Sequence, residues 1–504
     1  MRSRVRVLNV GHVLPATPDQ TATTCSPPDA AALSDDGDVV KLSFMDAMFV
    51  NRVPMQRLFF YEGPNVPPFP SLVRSLKSSL AAALAVFHPL AGKLTHLAST
   101  TGDDDVFVDC SPAAVSPGVT FVEAEFAGTI DDMSRLAAGD EHNTEALMLL
   151  GPSLKAGRLP APVLAVQVTR PAVVSGDGPA VVVGVSIHHA VADGHSVWQF
   201  MTAWSAMSRS PEASSTLVAP TFDRAAIRYP KSDEVARKFL RTVAPALPVA
   251  RSPAMYTPLD QRRRTFLLSA DDIASVKELI LAQSKSIAGG EQIVPSTYVA
   301  VSSLVWTFIV RAKSSPSELD LDPAAAGDDD EAYFLVPVDL RRRLGPTIDE
   351  RYFGNCVAPC YAVAAIGDLL DDGAGLARAA AAIVAGVREG VRDDDPLGGA
   401  ERWLESFMAV PKERLTHTGS SNRFMAYEVD FGWGKPSRVE LVSLFVRELV
   451  LLLGAGDGGV QVTVAMDHKH MEGFEASLMR VSGRAGNNAS CKIGEKDAAM
   501  QMDR

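Results

Sequence analysis

The sequence is short of cysteine and of long apolar runs, and each shortage excludes a class of protein. Five cysteines among 504 residues are too few, and odd in number, to form a disulfide framework. The longest apolar stretches, such as residues 449–453, are far shorter than the ~20 residues that cross a bilayer. The N-terminus also lacks the apolar segment of a secretory signal. We therefore expect a soluble protein of a reducing compartment, the cytoplasm.

Basic residues are the minority among the charged ones. The chain has 48 Lys+Arg against 60 Asp+Glu, a formal net charge of -12. Because nucleic-acid affinity is built from a basic surface, no nucleic-acid partner is expected. A small polyanion would need a local basic patch within this acidic chain.

The length and a shift in composition predict two domains. A single hydrophobic core seldom organises 504 residues, and residues 211–261, rich in Pro, Ser and Ala, have the composition of a linker. The predicted division is an N-terminal domain at 1–210, a crossover linker at 211–261, a C-terminal domain at 262–486 and a flexible tail at 487–504. A further polar stretch at 16–38 is predicted to be an inserted loop.

Apolar periodicity predicts the elements that matter most for function. Residues 71–87 and 197–208 repeat apolar side chains every three or four positions, which predicts helices, and 179–187 predicts a strand buried on both faces. The run 439–453 predicts a strand, followed by a turn at 454–459 and another strand. That turn matches G-x-G-x-x-G, but the period-two alternation after it indicates a hairpin rather than a dinucleotide site.

The most informative segment is S-I-H-H-A-V-A-D-G at 186–194, between the predicted strand and helix. Open α/β sheets present their sites at the carboxyl ends of strands. An imidazole titrates near neutrality and takes a proton from an attacking hydroxyl or amine, which makes His189 the candidate general base. Asp193 lies where the helix begins and would cap its exposed N–H groups.

Other chemistries have weaker support. The chain has neither a G-x-S-x-G nucleophile elbow nor a G-x-x-x-x-G-K-[ST] phosphate loop. Cys356 and Cys360 lack a second pair of ligands, so buried thiols are favoured over a metal site. A plain buried histidine pair stays open as an alternative to the general base. A metal site formed by His188, His189, Asp193 and His195 is the second alternative. These residues lack the usual helical H-E-x-x-H spacing, so no metal site is predicted.

Two motifs together resemble those of a known family. H-A-V-A-D-G at 189–194 looks like the HxxxDG of the plant BAHD acyltransferases, which move an acyl group from coenzyme A to a hydroxyl or amine, and D-F-G-W-G at 430–434 looks like their second motif. Y-F-G-N-C at 352–356 resembles the anthocyanin and phenolic-glucoside (malonyl)transferase branch. F-H-P-L-A-G at 87–92 is also similar, with His88 where the family has tyrosine.

The resemblance implies an α/β fold of two similar chloramphenicol-acetyltransferase-like domains. Each would be a mixed β-sheet flanked by helices, with the active-site channel at their interface. The implied reaction moves a malonyl or hydroxycinnamoyl group from acyl-CoA to a hydroxyl of a phenolic or flavonoid/anthocyanin glycoside. His189 would deprotonate the acceptor, which attacks the thioester directly, without an acyl-enzyme. A monomer with no permanently bound cofactor is implied, with acyl-CoA as co-substrate.

The resemblance also implies roles for individual residues. Trp433 is the candidate donor that stabilises the oxyanion, and Asp193 would form an ion pair with Arg341 or Arg343. The remaining positions of the two motifs, Gly194, Asp430, Gly432 and Gly434, would be structural, with the last two glycines allowing a sharp turn.

The resemblance also implies contacts to CoA, whose phosphate groups are of the kind that helix N-termini bind. The candidates, which match regions that touch CoA in the family, are Ser269, Lys277 and Ser421. A basic surface for the 3′-phosphate is expected at Arg262–Arg264, or at Lys435 and Arg438.

Two alternatives to O-acylation remain. One is an acyl-CoA N-acyltransferase that acts on an amine. The other is a catalytically inactive acyltransferase-like binding protein. A relative whose acyl donor is attached to a carrier protein is disfavoured, because it is not expected to carry the 352–356 and 430–434 motifs.

Overall fold

The computed structural model describes residues 4–17, 38–98, 104–138, 143–173, 179–210, 217–251, 261–287, 292–314, 330–442 and 446–481. Nearly all of the loop predicted at 16–38, parts of the predicted linker and the whole tail at 487–504 lie outside the described residues. Within them, the chain forms an α/β structure with two mixed six-stranded sheets and one four-stranded sheet. The mixed sheets confirm the predicted fold class, whereas the smaller sheet was not predicted.

The first half contributes nine strands and six helices. The strands are β1 (Val5–Val13), β2 (Val39–Lys41), β3 (Met55–Glu62), β4 (Lys93–Leu97), β5 (Asp105–Asp109), β6 (Val119–Phe126), β7 (Ala161–Pro162), β8 (Leu164–Pro171) and β9 (Ala180–Ile187). The helices are α1 (Phe44–Ala47), α2 (Phe69–Val86), α3 (Pro112–Val115), α4 (Ile130–Ala138), α5 (Thr144–Met148) and α6 (Gly194–Arg209). These counts hold for the described part of the chain.

The second half continues the same labels. Its strands are β10 (Gln261–Leu268), β11 (Glu331–Asp339), β12 (Val357–Ala365), β13 (Leu415–Thr418), β14 (Arg438–Leu441), β15 (Leu449–Gly454) and β16 (Val460–Asp467). Its helices are α7 (Ser232–Val243), α8 (Ala270–Ser286), α9 (Thr297–Ser314), α10 (Ile366–Leu370), α11 (Gly375–Gly390), α12 (Trp403–Ala409) and α13 (His468–Val481). Short 3-10 helices lie at His88–Ala91, Arg224–Ala226, Ala400–Arg402, Lys412–Arg414, Ala426–Glu428 and Gly456–Gly458.

The first large sheet has the order β1-β6-β8-β9-β3-β14, in which the pair β6–β8 is parallel. Every residue of β9 is buried, as its β-branched run predicted, because a strand inside a sheet that is covered on both faces meets no water. Helices α2 and α6 pack on one another, and the indole Nε1 of Trp204 donates to Ser79 Oγ at 3.1 Å. The strand, turn and helix around His189 are therefore as predicted.

The second large sheet has the order β10-β16-β15-β13-β11-β12. Strands β15 and β16 pair antiparallel from Gly454 and Val460, so the glycine-rich turn at 454–459 joins a hairpin, as predicted. Twelve of the residues of α9 are buried. Ser296 Oγ accepts from the Val299 N–H at 3.2 Å and caps the start of this helix.

The prediction of a single strand over 439–453 is wrong. β14 pairs antiparallel with β3 in the first sheet, whereas β15 pairs with β13 and β16 in the second. An apolar run indicates buried strands, but partner choice depends on residues far away in the chain. The second half therefore supplies an edge strand to the first sheet, and the predicted N-terminal domain does not end at residue 210.

The predicted linker is partly folded. It holds the 3-10 helix Arg224–Ala226 and α7, whose Phe239 is fully buried. Helix α7 packs on α1, and the ring of Tyr229 lies 5.1 Å from that of Phe44.

In the described part of the chain, no helix is long and apolar enough to cross a membrane.

Close packing of α11 on β12 gives a test of the fold. A Cβ placed on Gly386 would collide with the backbone oxygen of Tyr361. Gly386→Ala should lower the free energy of unfolding by about 1–3 kcal/mol through overpacking, more than the ~1 kcal/mol that alanine gains in helix propensity. Urea unfolding measures the change. The control is Gly456→Ala, where no atom lies within 4 Å of the added Cβ; equal effects of both substitutions would contradict this packing.

Candidate active site

A cavity of about 1050 Å³ lies between the two large sheets and is lined by both halves of the chain. The lining residues of the first half lie in the segment that precedes β3, at the start of β3 and in the turn after β9. The second half contributes the strands and turns around β11, β12 and β13, together with α11 and α12. His189 is among the lining residues, so the turn predicted to carry the chemistry opens into this cavity.

The two adjacent histidines have different environments. His189 is half-buried and stacks on the ring of Phe49, with centroids 3.9 Å apart and an interplanar angle of 3°. His188 is fully buried, and its Nδ1 accepts from the Ala190 N–H at 3.2 Å. Only the second histidine of the pair reaches the cavity, because successive residues after a strand point in different directions.

The electrostatic surroundings keep His189 neutral. Burial is the largest influence and lowers the pKa of His189 to about 4. The charge of Asp193 opposes this shift, while those of Arg52 and Arg57 add to it. At neutral pH the imidazole is therefore unprotonated and able to accept a proton.

Asp193 forms a buried bidentate ion pair with Arg341. The Arg341 Nη1 and Nη2 atoms lie 2.9 Å and 3.1 Å from the two carboxylate oxygens of Asp193. The carboxylate also accepts from the backbone N–H of Ser196 at 2.9 Å, which caps α6, and from that of Cys356 at 3.0 Å. Burial is the largest single influence and raises the pKa of Asp193, but Arg341 and the backbone N–H groups of Ser196 and Cys356 together hold that pKa below its usual range. Of the two arginines expected for this pair, Arg341 forms it, and both Arg341 and Arg343 line the cavity.

Asp46 is a second buried centre, which sequence reasoning missed. Its carboxylate accepts from Arg224 Nε and from Asn355 Nδ2, each at 2.8 Å. Asn355 Nδ2 also donates to the backbone oxygen of His189 at 2.9 Å. The side chain of Asn355 thus connects Asp46 to the backbone of the candidate base. The sequence feature that could have drawn attention to Asp46 is the capping box that it forms with Ser43 at the start of α1.

Gly194 lies where a side chain would have no room. It is the first residue of α6, and a Cβ there would come within 2.7 Å of the ring of Phe424. Phe424 lines the cavity. The glycine therefore allows the helix start to approach the cavity wall closely.

The D-F-G-W-G turn lies away from the cavity. Asp430 Oδ1 accepts from the backbone N–H groups of Gly432, Trp433 and Gly434 at 2.7 to 3.0 Å. Gly432 and Gly434 have φ of 98° and 97°, a region that glycine adopts without strain. This geometry is a compact turn closed by a carboxylate.

The placement of Trp433 corrects the prediction that it stabilises an oxyanion. Its ring packs against Tyr61 and Phe431, at centroid distances of 5.3 and 5.5 Å, within the hydrophobic core of the first sheet. Trp433 does not line the cavity that His189 lines, and a donor must reach the developing charge to stabilise it. The motif instead packs the second half of the chain onto the first.

The predicted CoA contacts divide into two groups. Ser421 lines the cavity. Ser269 does not; its hydroxyl accepts from the Asp272 N–H and caps α8. Lys277 donates to Thr297 Oγ1 at 2.9 Å, between the cavity residues Ser296 and Tyr298. Ser421 and Lys277 are thus placed near the cavity, whereas Ser269 is not.

The predicted basic surfaces do not line the cavity, and their cations are engaged with groups of the protein. Arg262 and Arg264 form ion pairs with Glu472 and Glu475, and Arg263 is buried. Lys435 and Arg438 pair with Glu428 and Glu440. The positive charge of the cavity comes from other arginines, namely Arg52, Arg57, Arg341, Arg342, Arg343, Arg388 and Arg423.

Cys356 and Cys360 are buried, and burial raises the pKa of the Cys360 thiol to about 12. Neither thiol lines the cavity. Among the residues with described positions, no three His, Cys, Asp or Glu side chains are arranged to hold a metal ion.

Removal of Arg341 should be costly, because it leaves the Asp193 carboxylate buried without its cation. Arg341→Met is expected to lower the free energy of unfolding by about 3–5 kcal/mol. The control is Arg392→Met, which breaks a pair whose side chains are 62% and 72% exposed and should change stability by less than about 1 kcal/mol. Urea unfolding of both variants gives the comparison, and similar losses in the two would contradict a special role for the buried pair.

The model of the Transferase family matches residues 29–480 of the chain. Among curated proteins, a malonyl-coenzyme:anthocyanin 5-O-glucoside-6'''-O-malonyltransferase of Salvia splendens is 29% identical, covering 92% of this chain and 96% of that protein. Phenolic glucoside malonyltransferase 1 of Bemisia tabaci is 28% identical, covering 95% of this chain and 97% of that protein. A coumaroyl-CoA:anthocyanidin 3-O-glucoside-6''-O-coumaroyltransferase of Arabidopsis thaliana is 27% identical, with 91% and 96% covered.

Solved structures have the same fold. Vinorine synthase superposes with a TM-score of 0.67 at 20% identity, covering 95% of this chain and 98% of that one. TRI101 of F. sporotrichioides, complexed with coenzyme A and T-2, has a TM-score of 0.60 at 17% identity, with 87% and 97% covered. The family resemblance drawn from the two motifs is confirmed: the chain belongs to the Transferase family, that of the BAHD acyltransferases, and is an acyltransferase.

Proposed function

We propose that this protein transfers a malonyl or hydroxycinnamoyl group from acyl-CoA to a hydroxyl of a phenolic or flavonoid/anthocyanin glycoside. The observation that carries the proposal is the neutral His189 imidazole, which opens into a cavity lined by both halves of the chain. The names of relatives with nearly full coverage support the donor and acceptor classes. We further propose a cytoplasmic monomer, because both halves of one chain line the cavity and the chain has few cysteines.

In the proposed mechanism, His189 takes the proton from the acceptor hydroxyl as the oxygen attacks the thioester carbonyl. General base catalysis of this kind contributes about 10²–10⁴ in rate. The tetrahedral intermediate then collapses, the carbon–sulfur bond breaks and the CoA thiolate takes up the proton from His189. No cysteine lies among the described residues that line the cavity, which supports direct transfer without a thioester acyl-enzyme.

The backbone around His189 holds the base in place. Asn355 binds the His189 carbonyl oxygen, and Asp193 binds Arg341 at the start of α6. Neither Asn355 nor Arg341 is proposed to touch the reacting atoms. Their part is to keep the ring stacked on Phe49, because a general base acts only within hydrogen-bond reach of the proton.

His189→Ala should lower kcat about 10²–10⁴-fold, because no other group takes the acceptor proton. Thiol release from malonyl-CoA and coumaroyl-CoA, with glycoside and amine acceptors, measures turnover. The matched control is His188→Gln, which changes the histidine that does not line the cavity and should retain kcat in the folded protein. Near-equal activity of His189→Ala and the unaltered protein would contradict the base assignment, and no thiol release with any substrate pair would contradict the proposed function.

The pH dependence should show the lowered pKa of His189. The base is active when deprotonated, so a pKa of about 4 keeps kcat/KM constant as the pH falls from 8 to about 5, with loss only near pH 4. An unperturbed histidine would lose activity near pH 6.5. Initial rates in buffers of constant ionic strength distinguish the two profiles, and an acidic limb centred near 6.5 would contradict the lowered pKa of His189.

A further inference from the structure

His417 is a second neutral histidine of the cavity, and the proposed mechanism does not use it. It lies on β13 and lines the same space as His189. Its Nδ1 lies 3.1 Å from the backbone oxygen of Glu448, and a carbonyl oxygen only accepts, so the proton of the neutral ring is on Nδ1. Burial lowers the pKa of His417 to about 4. The Nε2 atom therefore carries a lone pair near pH 7, and none of the described residues donates a hydrogen bond to it.

The sheet beside His417 forms a largely apolar surface. In the register of the second large sheet, His417 is opposite Leu335 on β11, and Leu335 is opposite Tyr361 on β12. Residues that face each other on neighbouring strands point to the same side of a sheet, and all three line the cavity. Pro337 and Pro359 form the next row and line it too. His417 Nε2 is thus an acceptor beside an apolar floor.

A continuous wall joins this surface to the candidate base. The ring of His189 stacks on Phe49 at 3.9 Å, and the Phe49 backbone oxygen accepts from the Arg52 N–H at 3.1 Å. The Arg52 guanidinium lies 5.5 Å from the centroid of Phe407, whose ring lies 6.1 Å from that of His417. Every residue of this series lines the cavity, so one ligand can contact both histidines.

The length of β11 separates the His417 surface from the turn that carries His189. Leu335, beside His417, is four residues before Asp339, the last residue of β11, which corresponds to about 13 Å along the strand. Arg341 joins Asp339 to the turn that carries His189. This separation is longer than one sugar ring. A glycoside whose sugar hydroxyl lies at His189 therefore extends its aglycone toward His417.

The chemistry of the surface selects among the parts of such a ligand. A lone pair at Nε2 needs a donor, which an ether, an ester or a carboxylate lacks. An apolar floor suits an aromatic ring rather than a sugar, whose hydroxyls all need polar partners. A phenol combines both properties, because it donates a hydrogen bond from the edge of an aromatic ring.

We propose that His417 Nε2 accepts a hydrogen bond from a free phenolic hydroxyl on the aglycone of the acceptor, so that the protein prefers glycosides that retain this group. The inference rests on the proposed acyl transfer and adds which acceptors are favoured. His417 determines specificity and takes no part in the chemical step. An amide N–H of the CoA arm is the competing donor, and a contact with it would change the KM for acyl-CoA instead.

Two substitutions separate the Nε2 lone pair from the structural role of the ring. The amide nitrogen of asparagine is as many bonds from Cβ as Nδ1, so His417→Asn keeps a donor to the Glu448 oxygen and has no atom in place of Nε2. The amide of glutamine is as many bonds from Cβ as Nε2, so His417→Gln restores an acceptor oxygen there. His12→Asn is the matched control, because His12 is exposed on β1 and does not line the cavity.

Hydroquinone glucoside and phenyl glucoside differ only in the free phenolic hydroxyl. The unaltered protein should favour the first by about 3–10-fold in kcat/KM, the range of a neutral hydrogen bond. His417→Asn should reduce this preference to less than about twofold through the KM for the glucoside, with the KM for acyl-CoA unchanged. His417→Gln should restore most of the preference, and His12→Asn should keep it.

The outcomes separate this inference from the proposed function. No preference in the unaltered protein, an equal loss for both glucosides in His417→Asn, or a raised KM for acyl-CoA would overturn the assignment while acyl transfer stands. A lack of turnover with every acceptor defeats the proposed function. If neither glucoside is turned over, calorimetric titration with both tests the contact directly. Tighter binding of hydroquinone glucoside, with the difference lost in His417→Asn, would support it, and equal binding would overturn it.

Discussion

Asp193 and Arg341 are both almost completely buried, and their bidentate contact joins the turn after β9 to the turn after β11. Burial of two charges is expensive, and a buried pair is weak evidence of net stabilisation. Its importance here is geometric, because the same carboxylate caps α6 and binds the backbone of the Y-F-G-N-C segment. With three structural elements attached to one carboxylate, the position of the turn that carries His189 depends on this contact.

The acidic composition of the chain hides a cavity whose wall contains seven arginines. Arg341, Arg342 and their acidic partners neutralise part of this charge, while Arg52 and Arg57 remain without carboxylate partners among the described residues. Their field adds to burial in lowering the pKa of His189. A net charge therefore says little about a site, because local geometry determines which charges face the reacting atoms.

The parts of the site that were predictable are local in sequence. Strand β9, the turn and α6 follow from apolar periodicity and from a capping residue within a few positions. The assignment of 439–453 to one strand failed because β14 and β15 find partners in different sheets, a choice that composition does not encode. Similarly, the motif at 430–434 indicated the family correctly, but the packing of Trp433 against Tyr61 depends on a residue more than 300 positions away. Asp46 and Asn355 were missed as site residues for the same reason.

The strand β14 has a consequence for how the chain acquires its structure. Without it, β3 is the edge of the first sheet, with unpaired backbone N–H and C=O groups along residues 57–60. During synthesis this edge stays open until residue 441 has left the ribosome, long after the rest of that sheet is complete. The two halves are therefore interlocked rather than joined end to end. Separate expression of residues 1–210 would release a fragment with an open sheet edge, which is prone to association with other chains.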